Sequence, residues 1–186
     1  ERCANPSAEI WVLLNTIYGN SKSQYFRMYW NKAGAVDRSN GAAVFSTAAG
    51  HTAVWHLNNS LNDATSNAIA LTNNGSTNAT AIIGEGRSFG GAATLNIPTA
   101  TALNNLTTFS MSGWARTTST ATAQTLFSFY INANNYAYLR YDPANGIVLK
   151  NWIGAMNNGW QAVTNWFPAT NTWFHVAWVM DGTAWK

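Results

Sequence analysis

Charge is scarce in this sequence. Only 9% of its 186 residues are Asp, Glu, Lys or Arg, against about 25% in an ordinary soluble domain. Ten basic and seven acidic residues leave a net charge of +3. The basic residues (Arg2, Lys22, Arg27, Lys32, Arg38, Arg87, Arg116, Arg140, Lys150, Lys186) are scattered, and no run of them neutralises several phosphates at once, which nucleic-acid binding requires. Nucleic acid is not an expected partner. Cysteine is nearly absent too. Cys3 stands alone, which excludes an internal disulfide framework and a multi-thiolate metal site. No apolar run approaches the roughly 18–20 residues that span a bilayer, so membrane insertion is not expected. The chain opens at Glu1 without a signal-peptide pattern.

Polarity is carried instead by Asn, Thr and Ser, set among 10 Trp and 13% aromatics. Uncharged polar residues alternating with aromatics and small residues favour half-buried strands joined by Asn/Gly turns, not helices. Strand candidates recur at 53–57, 92–97, 108–116, 124–131, 136–141, 147–152, 159–164 and 172–179. Turn chemistry punctuates them at Asn73-Asn74-Gly75, Asp142-Pro143-Ala144-Asn145-Gly146 and Asn157-Asn158-Gly159. Upstream, Ala8-Glu9-Ile10-Trp11-Val12-Leu13-Leu14 is a short apolar segment. Residues 24–30 alternate as a strand, Tyr25, Arg27 and Tyr29 against Phe26, Met28 and Trp30. Residues 31–50 read as a connector anchored by Val44 and Phe45. Many short strands and no helix of three turns predict an all-β sandwich or jelly roll.

Four segments carry a family resemblance. They are Val54-Trp55-His56-Leu57-Asn58-Asn59 with the turn at Asp63-Ala64-Thr65; Gly84-Glu85-Gly86-Arg87-Ser88-Phe89-Gly90-Gly91; Phe109-Ser110-Met111-Ser112-Gly113-Trp114-Ala115-Arg116; and Thr172-Trp173-Phe174-His175-Val176-Ala177-Trp178-Val179. In this order they resemble a laminin-G-like domain of the concanavalin-A-like lectin/glucanase group. The resemblance implies an antiparallel jelly-roll β-sandwich over residues 51–186 that lacks its final strands. Residues 1–50, with Ile10-Trp11-Val12, Met28-Tyr29-Trp30-Asn31-Lys32 and Ser39-Asn40-Gly41-Ala42-Ala43-Val44-Phe45, resemble the second half of a domain of unknown function that precedes laminin-G-like domains in bacterial secreted proteins. A small partial β region is expected there, and the chain is expected to be a piece of a longer extracellular or cell-surface protein.

Catalysis finds little support. Glycoside hydrolysis needs two carboxyls about 5–9.5 Å apart, yet no two of Glu1, Glu9, Asp37, Asp63, Glu85, Asp142 and Asp181 lie within two positions of each other. His51, His56 and His175 read as packed or hydrogen-bonded imidazoles, and no nucleophile motif is present. The expectation is a non-enzyme. The resemblance implies a Ca²⁺ site with Asp63 as its best-matching ligand, although turn capping by the same carboxylate is an equal reading. Asp142, beside Pro143 and Asn145-Gly146, reads as a turn cap. Carbohydrate binding suits the composition, because a sugar offers an apolar face and a rim of hydroxyls. Tyr136, Tyr138, Trp152, Trp160 and Trp166, interleaved with Asn157 and Asn158, are the candidate platform. Trp11, Trp30, Trp55, Trp114, Trp173 and Trp178 are expected in the core. The expected partner is a glycan or surface polysaccharide. An assembly role, with copies of itself or absent flanking domains as partners, is the alternative.

Overall fold

The computed structural model describes residues 10–97, 100–103, 106–153 and 161–181. The fold is all-β, and among the described residues there are one single-turn α-helix, α1 (Gly41–Val44), and two single-turn 3-10 helices, Thr47–Ala49 and Thr101–Leu103. None of its described helices is long and apolar enough to cross a membrane. The ten strands are β1 (Thr72–Asn74), β2 (Thr77–Thr80), β3 (Glu85–Ser88), β4 (Thr94–Asn96), β5 (Thr108–Ala115), β6 (Gln124–Asn132), β7 (Asn135–Asp142), β8 (Gly146–Ile153), β9 (Gln161–Val163) and β10 (Phe174–Asp181). They fall into two compact units, Glu1–Asn104 and Asn105–Lys186. This division lies inside the 51–186 stretch that the resemblance treats as one domain.

The second unit contains the regular sheets. β6-β7-β8-β9 form one antiparallel sheet and β5-β10 another. β5 alternates strictly, with Phe109, Met111 and Gly113 turned in and Ser110, Ser112 and Trp114 turned out, the period-2 consequence of a pleated strand. The inward side chains of both sheets meet in one apolar cluster. Ala137, Leu139 and Tyr141 of β7, Ile147 and Leu149 of β8 and Trp178 of β10 are its buried members, flanked by Phe109, Met111, Leu126, Phe127, Phe129, Phe174 and Val176. Trp178 is 0% exposed, and it meets Phe109 and Phe129 edge-on at 5.5 and 5.4 Å. Burying one such indole is worth at most about 4–6 kcal/mol at 25 cal/mol per Å². Register shifts in β6 between Thr125 and Phe127 let consecutive Leu126 and Phe127 both reach the core, as a bulge does.

Turn chemistry sets the register. Asn132 pairs with Asn135 across a two-residue turn, and its Oδ1 accepts the Asn134 amide at 2.9 Å. Between β7 and β8, Asp142 Oδ1 accepts from the Ala144 amide at 3.1 Å and Asn145 Nδ2 at 2.9 Å. Gly146 closes that turn at φ +74°, a conformation that suits glycine. Asp142 therefore caps its turn, as its neighbours predicted, and its Oδ2 also pairs with Arg140 at 3.0 Å.

The first unit is held differently. Its strands form two small ribbons, β1-β4 and β2-β3. Arg87 clamps the second, donating to Ser76 Oγ at 3.1 Å, to the Ser76 carbonyl at 2.7 Å and to Asn78 Oδ1. The segments expected as strands at 24–30 and 53–57 are not strands. A strand persists only where its backbone groups are paired, and these segments have no ladder partner among the described residues. Alternation alone was insufficient. Trp11 and Trp30, expected in a core, are instead exposed, Trp30 at 77%. Trp11 packs with Phe45 and His56 at ring distances of 5.6 and 5.5 Å. Trp55 is half-buried, and its indole N–H donates to the Ile69 carbonyl at 2.7 Å.

Candidate functional site

The solvent face of the four-stranded sheet gathers the candidate site. Strand alternation sends Ala137, Leu139 and Tyr141 into the core and leaves Tyr136, Tyr138 and Arg140 on the opposite face. Tyr136 and Tyr138 lie 5.7 Å apart with rings within 5° of parallel. Tyr130, the cross-strand partner of Tyr136, extends the row at 6.5 Å and 26° and is 70% exposed. The Arg140 guanidinium closes the other end, its carbon 4.7 Å from the Tyr138 ring centre, a cation–π contact. Lys150 stands opposite Tyr138 on β8. Three tyrosines and two cations thus share one face, bordered by Ser128 and the Asn132–Asn135 turn.

Two of the predicted platform residues, Tyr136 and Tyr138, are brought together here. Trp152 is the backbone partner of Tyr136, and its side chain lies outside the described residues. Trp160, Asn157 and Asn158 lie outside them as well. Trp166 is placed elsewhere: half exposed, it meets Phe174 edge-on at 5.4 Å, and Phe174 packs on the core. Tyr130 and Arg140 were not anticipated. The signal for Arg140 was available, since it continues the i, i+2 row from Tyr136; Tyr130 faces Tyr136 only because of a register shift between Tyr130 and Asn132, which the Asn132–Asn135 turn alone does not give.

Asp63 sits in a loop of the first unit, at the centre of a donor set. Its Oδ1 accepts the amides of Val54 at 2.9 Å and Thr65 at 2.8 Å. Its Oδ2 accepts the Thr65 hydroxyl at 2.8 Å and the Ile69 amide at 3.1 Å. Partial burial by itself raises the Asp63 pKa, but these four donors outweigh it and hold the carboxyl below its ordinary value. The carboxylate pins the strand-like Val54 stretch to its own turn. Among the described residues no group of three or more His, Cys, Asp or Glu is gathered for a metal.

The outer face of the β5-β10 sheet carries a second aromatic group. Trp114, expected in the core, is 48% exposed there. Phe109 and Met111 point inward, so residues of even number on β5 must point out. Its cross-strand partner His175 lies 5.3 Å away, ring to ring. Trp173 is half-buried with Arg116 5.1 Å from its ring centre.

Comparison with protein-family models, with curated proteins and with solved structures finds no match for this chain.

Proposed function

We propose that this chain is a non-catalytic carbohydrate-binding or adhesion module of a secreted or cell-surface protein, built on a laminin-G-like jelly-roll sandwich. The observation that carries the reading is the row of three near-parallel tyrosine rings ending in Arg140 on the solvent face of β6–β9. Rigid aromatic side chains lose little entropy on binding and offer both an apolar face and a hydroxyl. Arg140, Lys150 and the Asn132–Asn135 turn supply donors for ligand oxygens at its border. The meeting of two sheet faces in one apolar cluster supports the sandwich. Both oxygens of Asp63 already serve four donors, which fits turn capping; a Ca²⁺ ion on this carboxylate would have to displace them, and the chelator arm of the test decides between the two.

The test is retention of the intact protein on a panel of glycans and polysaccharides, with Ca²⁺ and with a chelator. At least one glycan should bind, and Tyr130→Ala or Tyr138→Ala should weaken it by about tenfold or more, some 1.4 kcal/mol. Binding that ignores both substitutions, or no binding to any glycan, refutes the reading. Loss with the chelator assigns a role to the cation; indifference to it removes Ca²⁺ from the proposal.

A second reading, assembly through copies of the chain or flanking domains, is favoured by one observation. Between residues 10 and 30 Trp11, Ile17, Tyr18, Tyr25, Tyr29 and Trp30 are all more than half exposed, and patches of that kind mark interaction surfaces. Sedimentation that shows a monomer at high concentration counts against it.

A further inference from the structure

The outer face of the β5-β10 sheet is a surface to which the proposed function gives no role. Four residues gather at one end of it. Trp114 and His175 are register partners, and Arg116 and Trp173 lie two residues beyond them, the one just past the end of β5 and the other just before the start of β10. Beyond the strand ends the two segments stay tied, since the Asn171 amide donates to the Thr117 carbonyl at 2.8 Å, one residue out of the β5-β10 register. Arg116 stacks over Trp173 and is exposed. Among the described residues it has no carboxylate partner; the ion pair there joins Arg140 to Asp142.

From Trp114 the face continues through Ser112 and Ser110 of β5, beside Ala177 and Val179 of β10. Ser110, Ser112 and Ala177 are exposed and small, so the half-exposed indole stands above a low floor with two hydroxyls in it. Two residues along a strand span about 7 Å, room for one pyranose ring against the indole. Among the described residues of these two strands the one acid on this face is Asp181, six residues along β10 from His175, about 20 Å away. The aromatic end of the face therefore carries fixed positive charge with no acid beside it, and a planar guanidinium held on an indole is pre-oriented to take a carboxylate or sulfate by two parallel hydrogen bonds.

We propose that Trp114, Arg116, Trp173 and His175 form a second saccharide site, selective for a pyranoside that bears an anionic group. Trp114 stacks on the ring, Arg116 takes the carboxylate or sulfate, and Trp173 holds Arg116 in place. Ser112 and Ser110 meet ring hydroxyls. This site does not depend on the tyrosine face binding anything.

The test is calorimetric titration of the full chain with tetragalacturonate, with its fully methyl-esterified form and with a sulfated galactan tetrasaccharide. Tetragalacturonate or the sulfated oligomer should bind, and whichever binds identifies the anionic group. Trp114→Ala and Arg116→Gln should each weaken that binding by about tenfold or more, Trp114→Phe should largely preserve it, and Tyr130→Ala should leave it unchanged. Trp114 and Arg116 point to solvent, and thermal melts of both variants verify that the fold is retained. Four results overturn the proposal: neither charged oligomer binds, the methyl ester binds as well as the acid, affinity survives both Trp114→Ala and Arg116→Gln, or Tyr130→Ala abolishes it.

Discussion

Two glycines of the second unit should respond in opposite directions to the same added methyl group. At Gly146 the backbone has φ +74°, where an L side chain costs about 1–2 kcal/mol. A Cβ there would also lie on the Trp166 peptide, 2.7 Å from its nitrogen and 2.8 Å from its carbonyl carbon, and closer still to its oxygen. These atoms are backbone and cannot swing away as a side-chain tip does. Relief requires residues 164–166 to move. That motion stretches the hydrogen bonds from the Ile147 amide to the Trp166 carbonyl, 3.1 Å, and from the Asn165 amide to the Asn145 carbonyl, 3.2 Å. At about 1 kcal/mol net for each bond, Gly146→Ala should destabilise the second unit by about 3–4 kcal/mol. Gly113 lies in β5 at ordinary strand φ, and its Cβ would meet only the tip of the Phe127 ring at 3.5 Å, an ordinary contact. Gly113→Ala removes freedom from the unfolded chain and should be neutral or stabilising by up to about 1 kcal/mol. Urea unfolding of both variants, followed by tryptophan fluorescence and far-UV circular dichroism, measures the contrast. A Gly146→Ala midpoint within error of Gly113→Ala would show that the β9 side of the sheet yields freely, and the reasoning would fail.

Two further predictions concern the units separately. Asp63 has its pKa lowered in the folded state, so its contribution to stability is fully present above the unfolded carboxylate pKa of about 4 and is lost as pH falls through the lower folded value. Asp63→Asn, which offers one acceptor where two oxygens served four donors, should cost about 1–3 kcal/mol near neutral pH and shrink the loss of stability below pH 4; an unchanged acid-unfolding curve refutes this role. Trp178→Ala should destabilise the second unit by about 3–5 kcal/mol, the usual cost of deleting a fully buried large aromatic, and a thermal-melt shift of a degree or less would place the core elsewhere.

The second unit was largely legible because its strands each have one dry face. In 108–115, 135–142 and 174–181 the apolar residues recur at every second position, and the strands formed where that period runs. The direction of each face was legible too, by parity: Phe109 and Met111 in core positions force Trp114 outward, and Ala137 and Leu139 force Tyr136 and Tyr138 outward. Assigning Trp114 to the core because it is a tryptophan ignored that constraint. The short strands β1, β2 and β3 left no such trace. Thr72–Asn74 is exposed at every residue and Thr77–Thr80 at all but one, and a strand with two wet faces has no period to read. Residues 24–30 show the converse, since a clear period predicts a strand only if another strand is there to pair with it.

That parity bears on what the scarcity of charge accomplishes. A protein with few charges keeps its solubility through uncharged polar groups, and here the outward positions of β5 are Thr108, Ser110 and Ser112 until Trp114 interrupts them. On β7 the outward positions are Tyr136, Tyr138, Arg140 and Asp142, with no Ser or Thr among them. Leaving large rings on outward strand positions forgoes the burial free energy that drives folding, and neither sheet needs them there, because the shared core already holds Trp178, Phe109 and Phe129. Each outward aromatic group also has a guanidinium stacked on one of its rings, Arg140 on Tyr138 and Arg116 on Trp173. Two sheets of one unit thus repeat one arrangement, an aromatic row ended by a stacked cation, on outward faces. Packing does not require that repetition, and the proposed recognition of flat, hydroxyl-rimmed ligands rests on it.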